Sequence, residues 1–290
     1  MSRDLPLALV QARPIPPDGA IDAYAEEVTR VVRQFPATRL VLHPELHLTN
    51  DAGVPGRELA EPLHGPRGKA LATLAADLGI WLVPGSVYEL GHEGQVFNTA
   101  TLYSPRGELV ASYRKVFPWR PFEDATAGHH FVVADLEDIG RVGFSICYDT
   151  WFPESSRALA WQGAEVILNV VKTSTADRAQ EVVLARANAI VNQVYFVSVN
   201  AAGPEGQGRS IVVDPEGYVR VESVGAMPTV LTDVLDLDAC ARVRRYGTAG
   251  LNRVWSQFRA DDAVIDLPMY KGRIDPAAWE RHSRVQPHSG

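Results

Sequence analysis

The sequence predicts an α/β layered fold, and three observations carry that expectation. Short runs rich in Val, Ile, Leu and aromatic residues, the composition of buried strands, recur along the chain. Stretches of helical length separate them, and strands alternating with helices stack as layers around a shared core. The composition, 46% hydrophobic and 22% charged over 290 residues, is that of a globular chain. At this length a fold buries about 75% of its unfolded surface without disulfides or a structural metal.

The first expected strand, 5–10, contains Pro6 and follows Arg3 and Asp4, so it is too short for a signal-peptide core. A helix over 21–35 leads to a strand at 40–43, and a helix over 68–78 to strands at 80–88 and 97–103. Strands at 131–136 and 142–146 precede a helix at 155–162 and a strand at 166–170. The helix over 177–193 opens with Asp177 as N-cap and Gln180 three residues on, a capping-box pattern, and a strand at 194–200 follows. A last amphipathic helix is expected over 237–246. Ser104-Pro105-Arg106-Gly107 and Asp214-Pro215-Glu216-Gly217 share type I turn chemistry and sit between strand-like runs, which hints at two similar halves. No Gly/Ser/Pro-rich linker divides the chain before about residue 247. Beyond it the pattern thins through Met269, Trp279 and Gln286, as in an extension that packs on a partner subunit.

Composition also removes function classes. A net charge of −7 lacks the basic footprint of a nucleic-acid binder. No apolar run approaches the 18 or so residues of a membrane span. Two cysteines, Cys147 and Cys240, make no disulfide framework, so a reducing, cytoplasmic location is expected.

The strongest chemical signal runs from Gly143 to Glu154, GFSICYDTWFPE. A strand ends at Cys147, a tight turn follows, and Pro153 can open the next helix. A nearby helix N-terminus would favour the thiolate. Cys240, on the expected amphipathic helix, is read as an inert buried thiol. A nucleophilic cysteine needs a base and an oxyanion donor. The histidines are poorly placed, since His64, His92, His282 and His288 lie in polar loops or the tail and His129 and His130 precede a strand. Two charges instead interrupt apolar surroundings: Glu45 after the run 40–44, and Lys115 after 109–114. Lysine is rare here, at positions 69, 115, 172 and 271 only, so one at a strand end is informative. Alone, each would pass as a surface charge.

Rival constellations are weaker. His43, Glu45 and His47 do not form H-E-x-x-H, and Pro44 with the preceding strand denies the helix that would bring both imidazoles to one face. Gly143-x-Ser145 lacks the third small residue of a serine elbow, and phosphate-cradling glycine motifs are absent.

Together the three segments resemble the nitrilase, or carbon–nitrogen hydrolase, superfamily. Pro44-Glu45-Leu46 looks like its glutamate motif, Tyr113-Arg114-Lys115-Val116 its lysine motif, and Ile146-Cys147-Tyr148-Asp149 with Phe152-Pro153-Glu154 its cysteine motif. Lys115-Val116-Phe117-Pro118-Trp119-Arg120-Pro121-Phe122-Glu123 is similar to the run of aliphatic amidases and formamidases that supplies a pocket tryptophan and a second glutamate, here Trp119 and Glu123. Carbamoyl-amino-acid hydrolases carry carboxylate-gripping arginines where this chain has Thr150 and Trp151. Trp151 is therefore expected to give the substrate pocket apolar surface, with Lys172 as a possible positive charge.

The resemblance implies an α-β-β-α sandwich over residues 1–247, an extension over 248–290, and assembly as a homodimer or higher homo-oligomer. It implies hydrolysis of a small non-peptide amide, with Cys147 as nucleophile and Glu45 as general base and acid. Lys115 and the Tyr148 N–H would hold the oxyanion, and Glu123 would orient substrate and Lys115. No cofactor or metal is implied. Nitrile, N-carbamoyl or hydrazide hydrolysis on the same scaffold, and a non-catalytic interaction protein, are the alternatives.

Overall fold

The computed structural model describes residues 3–49, 54–137, 139–257, 259–266 and 272. In chain order its strands are β1 (Asp4–Gln11), β2 (Leu40–Leu42), β3 (Trp81–Val83), β4 (Ser86–Leu90), β5 (Val96–Tyr103), β6 (Leu109–Arg114) and β7 (Val133–Asp135). They continue with β8 (Arg141–Ile146), β9 (Val166–Val171), β10 (Tyr195–Asn200), β11 (Ile211–Val213), β12 (Val219–Glu222) and β13 (Thr229–Asp236). The helices are α1 (Ala20–Gln34), α2 (Gly56–Leu59), α3 (Pro66–Leu78), α4 (Pro153–Trp161), α5 (Arg178–Asn192) and α6 (Asp238–Tyr246).

Alternation along β1 decides how the layers stack, because successive side chains leave opposite faces of a strand. Leu5, Leu7 and Leu9 join Leu40, Leu42, Phe144, Ile146, Leu168, Val170, Val197 and Val199 in a core between two sheets. Ala8 and Val10 face the other way and pack with Tyr24, Val28 and Val31 of α1 and Leu71 and Ala75 of α3. The first sheet has the order β13-β1-β2-β3-β5-β4, with β6 also paired to β5. The second runs β12-β11-β10-β9-β8-β7. Helix α4 contacts β8, and α5 contacts β10 and β11. The layers are thus helix, sheet, sheet, helix.

Strands β1, β2 and β3 are parallel, and so are β8, β9 and β10. Their aligned C-terminal ends release the chain at one edge, where α/β folds place their ligands. Glu45 follows β2, Cys147 follows β8, and Lys172 and Thr173 follow β9.

Several expectations change in detail. The strand over 80–88 divides into β3 and β4 at Pro84-Gly85. Gly85 takes φ 85°, and a Cβ there would lie 1.7 Å from the Pro44 carbonyl oxygen. Any side chain would push this bend into the loop that carries Glu45. Asp177 stands at the N-cap of α5, but its carboxylate takes the Thr175 hydroxyl and caps no helix N–H. Both expected turns form, with the Ser104 and Asp214 side chains accepting backbone N–H groups two and four residues on. One turn joins β5 to β6 in the first sheet and the other β11 to β12 in the second.

The chain divides into the units Met1–Val254 and Trp255–Gly290. Among its described residues the second unit holds no strand or α-helix, and Met269, Trp279 and Gln286 lie outside the described residues. No helix among the described residues is long and apolar enough to cross a membrane.

Candidate active site

Glu45 and Lys115 come from different strand ends and meet in the interior. Glu45 is 4% and Lys115 2% exposed. The Lys115 ammonium donates to Glu45 Oε1 at 2.9 Å and to Glu123 Oε2 at 2.6 Å. Asn98, in β5, closes the same arrangement by donating from Nδ2 to Glu45 Oε1 at 2.8 Å and to Glu123 Oε1 at 2.9 Å. The Lys172 backbone N–H donates to Glu45 Oε2 at 3.0 Å, and the Trp119 N–H to Glu123 Oε2 at 2.9 Å. Burial alone would push Glu45 toward the neutral acid, but the charge and hydrogen bond of Lys115 win and hold its pKa below the usual carboxylate range. Burial likewise opposes the Lys115 charge, and Glu45, Cys147 and Glu123 together raise its pKa well above the ordinary lysine value.

Cys147 opens a short 3₁₀ turn, Cys147–Trp151, in a left-handed conformation with φ 46°. A non-glycine residue there is strained and needs support from its surroundings. Asp149 provides it. Its buried carboxylate accepts the Ile146 N–H at 2.8 Å, the Phe117 N–H at 2.9 Å and the Tyr113 hydroxyl at 2.7 Å, tying the cysteine turn to the lysine loop. Burial still raises Asp149 to about 6.

Helix α4 starts at Pro153, as the sequence predicts, six residues beyond Cys147. Burial, then the Glu45 charge, lift the Cys147 thiol well above its ordinary pKa, against the opposing pull of Lys115. The resting thiol is therefore protonated at neutral pH, and its activation needs a base. Its sulfur lies 3.5 Å from the Thr173 hydroxyl.

Cys147 opens into a cavity of about 40 Å³ lined by Trp119, Tyr148, Lys172, Thr173, Asp177 and Glu181, among others. A roomier surface hollow, about 490 Å³, is lined by Pro6, Leu7, Phe35 and Thr232 among others, with no cysteine, histidine or lysine in its lining. Trp119, Tyr148 and Lys172 thus line the cavity beside Cys147. Trp151 does not line the cavity. In a 3₁₀ turn residues three apart eclipse, and its ring packs beside Tyr148 with centroids 6.2 Å apart.

Pro44 and the preceding strand do not keep His43 and His47 apart. The turn after β2 folds back, with Leu46 at φ 52°, and brings the two imidazole centroids within 4.9 Å without a helix. Glu27 of α1 joins them, and the ligand atoms of all three lie within 4.8 Å of one another, the one such group with metal-binding side chains among the described residues. His47 Nε2 lies 3.0 Å and His43 Nε2 3.1 Å from the same Glu27 oxygen, while the Tyr24 hydroxyl meets His43 Nδ1 at 3.0 Å. Burial lowers His43 to about 4 and keeps it neutral. The group clamps the Glu45 loop to α1.

Asn98, Asp149, Thr173 and Glu27 were not among the sequence candidates. A polar side chain inside an apolar strand, as in Val96-Phe97-Asn98-Thr99-Ala100, is the signal that could have found Asn98.

The carbon-nitrogen hydrolase family model matches residues 7–245. A formamidase of Bacillus cereus (strain B4264) is 28% identical over 208 residues, 69% of this chain, so the match spans 61% of the formamidase's length. An (R)-stereoselective amidase of Pseudomonas sp. is 35% identical over 228 residues, 72% of this chain and 77% of that one. The crystal structure of an amidase from Nesterenkonia sp. superposes with a TM-score of 0.70 at 30% identity, covering 84% of this chain and 96% of that one. With its strand-end glutamate, lysine and cysteine at one edge of an α-β-β-α sandwich, the chain belongs to the carbon-nitrogen hydrolase family.

Proposed function

We propose that the protein hydrolyses a small, neutral, non-peptide amide to a carboxylic acid and ammonia or an amine. The observation that carries this reading is the buried Glu45–Lys115–Glu123 arrangement beside the Cys147 thiol. Glu45 Oε1 already takes two donors and Oε2 one, and a carboxylate offers about four lone-pair sites. Oε2 therefore receives the thiol proton as sulfur attacks the amide carbon. The Lys115 ammonium and the Tyr148 N–H stabilise the oxyanion, each donor typically worth about 3–4 kcal/mol. Collapse of the tetrahedral intermediate breaks the C–N bond, and the proton on Glu45 passes to the leaving nitrogen. Water, deprotonated by Glu45, then attacks the thioester and releases the acid, and the proton returns to sulfur.

The cavity supports a short acyl group. At about 10–15 Å³ per water-sized position, its roughly 40 Å³ admits only a few heavy atoms. Asp177 and the Arg178-paired Glu181 line it along with one lysine, Lys172, so a substrate carboxylate would meet carboxylates there as well as a cation. Homo-oligomerisation, with the extension 248–290 on a partner, belongs to the same proposal. The test is ammonia release from formamide, acetamide and propionamide. Turnover by the wild type that disappears in Cys147→Ala supports the reading, and equal rates in the two proteins overturn it.

A further inference from the structure

Behind the sulfur lies a buried chain of polar groups that the mechanism above leaves unused. Thr173 Oγ1 stands 3.5 Å from Cys147 Sγ and donates to Glu181 Oε1 at 2.9 Å. Arg178 pairs with Glu181 at 3.1 Å and also donates to Ser198 Oγ and to the carbonyls of Gly208 and Arg209. Arg178 is 2% and Glu181 4% exposed. Asn200 grips the Thr173 backbone from both sides, accepting its N–H at 2.8 Å and donating to its carbonyl at 3.0 Å. A buried ion pair contributes little net stability once its desolvation is counted. Its place one hydroxyl away from the nucleophile has a different use.

We propose that Thr173, held by the Glu181–Arg178 pair, is a positioning residue that sets which way the hydrogen between itself and Cys147 points. This rests on Cys147 being the nucleophile. A threonine hydroxyl has a single hydrogen. With that hydrogen committed to Glu181, its lone pairs face the sulfur, and the resting thiol donates to Thr173. When Glu45 removes the thiol proton, the Thr173 hydrogen swings from Glu181 to the sulfur anion. The bond broken is neutral hydroxyl to carboxylate and the bond formed is hydroxyl to thiolate, with no net proton transfer at Thr173. Thr173 thus steadies the thiolate, and Glu181 opposes it by holding the hydrogen back and by its negative charge.

Opposite effects follow for the two residues, which a purely structural role would not produce. The probe is the pH profile of iodoacetamide alkylation at Cys147, read by mass spectrometry of its peptide. Thr173→Val, nearly isosteric, should move the alkylation midpoint to higher pH and slow alkylation severalfold at pH 8, because the thiolate loses its hydroxyl donor. Glu181→Gln should move the midpoint to lower pH. Thr173→Ser, which keeps the hydroxyl, should track the wild type. A wild-type profile in Thr173→Val or Glu181→Gln, or a Thr173→Ser profile displaced like that of valine, overturns the proposal. If Thr173→Val fails to fold by thermal melting, Thr173→Ala takes its place, with the same expected shift to higher pH and a wild-type profile overturning the proposal. Alkylation needs no substrate, so this outcome stays separate from the amidase reading, which fails instead on retained ammonia release by Cys147→Ala.

Discussion

Replacing Asn98 by Leu should shift the acid limb of the pH–rate profile upward by about one to two units. Asn98 Nδ2 is the donor that Glu45 and Glu123 share, at 2.8 and 2.9 Å. Burial favours the neutral form of Glu45, while Lys115, then the Lys172 charge and then the Asn98 hydrogen bond favour the carboxylate. Glu45 acts as base only when ionised, so activity falls as pH drops through its pKa. Removing a donor raises that pKa, and the fall then begins at higher pH. A hydrogen bond to a charged group contributes about 1.5–3 kcal/mol, and about 1.4 kcal/mol is one pH unit. Leucine keeps the volume and admits no replacement water. Besides Glu45 it takes a donor only from Glu123 Oε1, since Asn98 Oδ1 has no hydrogen-bond partner among the described residues. The assay is kcat/KM for a short amide against pH, which reports groups on the free enzyme. An acid limb that stays in place, or moves to lower pH, would refute the argument.

The other predictions concern the nucleophile, its support and the pocket. Cys240, 1% exposed on α6 with its thiol pushed up to about 12, is a packing residue. Cys240→Ala should keep ammonia release near wild type and cost about 1 kcal/mol in urea denaturation. Asp149→Ala orphans two backbone N–H groups and the Tyr113 hydroxyl. It should lower stability by about 3 kcal/mol or more, read from the urea midpoint, and abolish turnover because the cysteine turn loses its anchor. A short neutral amide should exceed an N-carbamoyl amino acid in kcat/KM by about a hundredfold. A preference for the acid that vanishes in Lys172→Ala would reverse that assignment.

The layered α/β order was legible because buried strands and helices differ in length and in side-chain period. Glu45, Lys115 and Cys147 stood out because each follows a strand-like run, and the parallel strand ends bring two of them to one edge. What joins them was not legible. Asn98 lies 53 residues from Glu45 along the chain, and only the pairing of β5 in the first sheet sets it beside both carboxylates. Asp149 stands within the cysteine motif, yet its three donors come from β6, from the loop after it and from the end of β8. Trp151 lies outside the cavity lining, although the 3₁₀ turn sets its ring beside that of Tyr148. His43 and His47 were set apart by a rule about helices, whereas a folded-back turn with Leu46 in a left-handed conformation unites them.

The central claim is a covalent thioester on Cys147, and its direct measurement is acid quench during turnover of a short amide followed by peptide mass spectrometry. The account predicts that the peptide containing Cys147 carries the acyl group of the amide, and that Cys147→Ala carries none and releases no ammonia. Steady ammonia release with an unmodified Cys147 peptide, or an acyl group found on Cys240 instead, would contradict it.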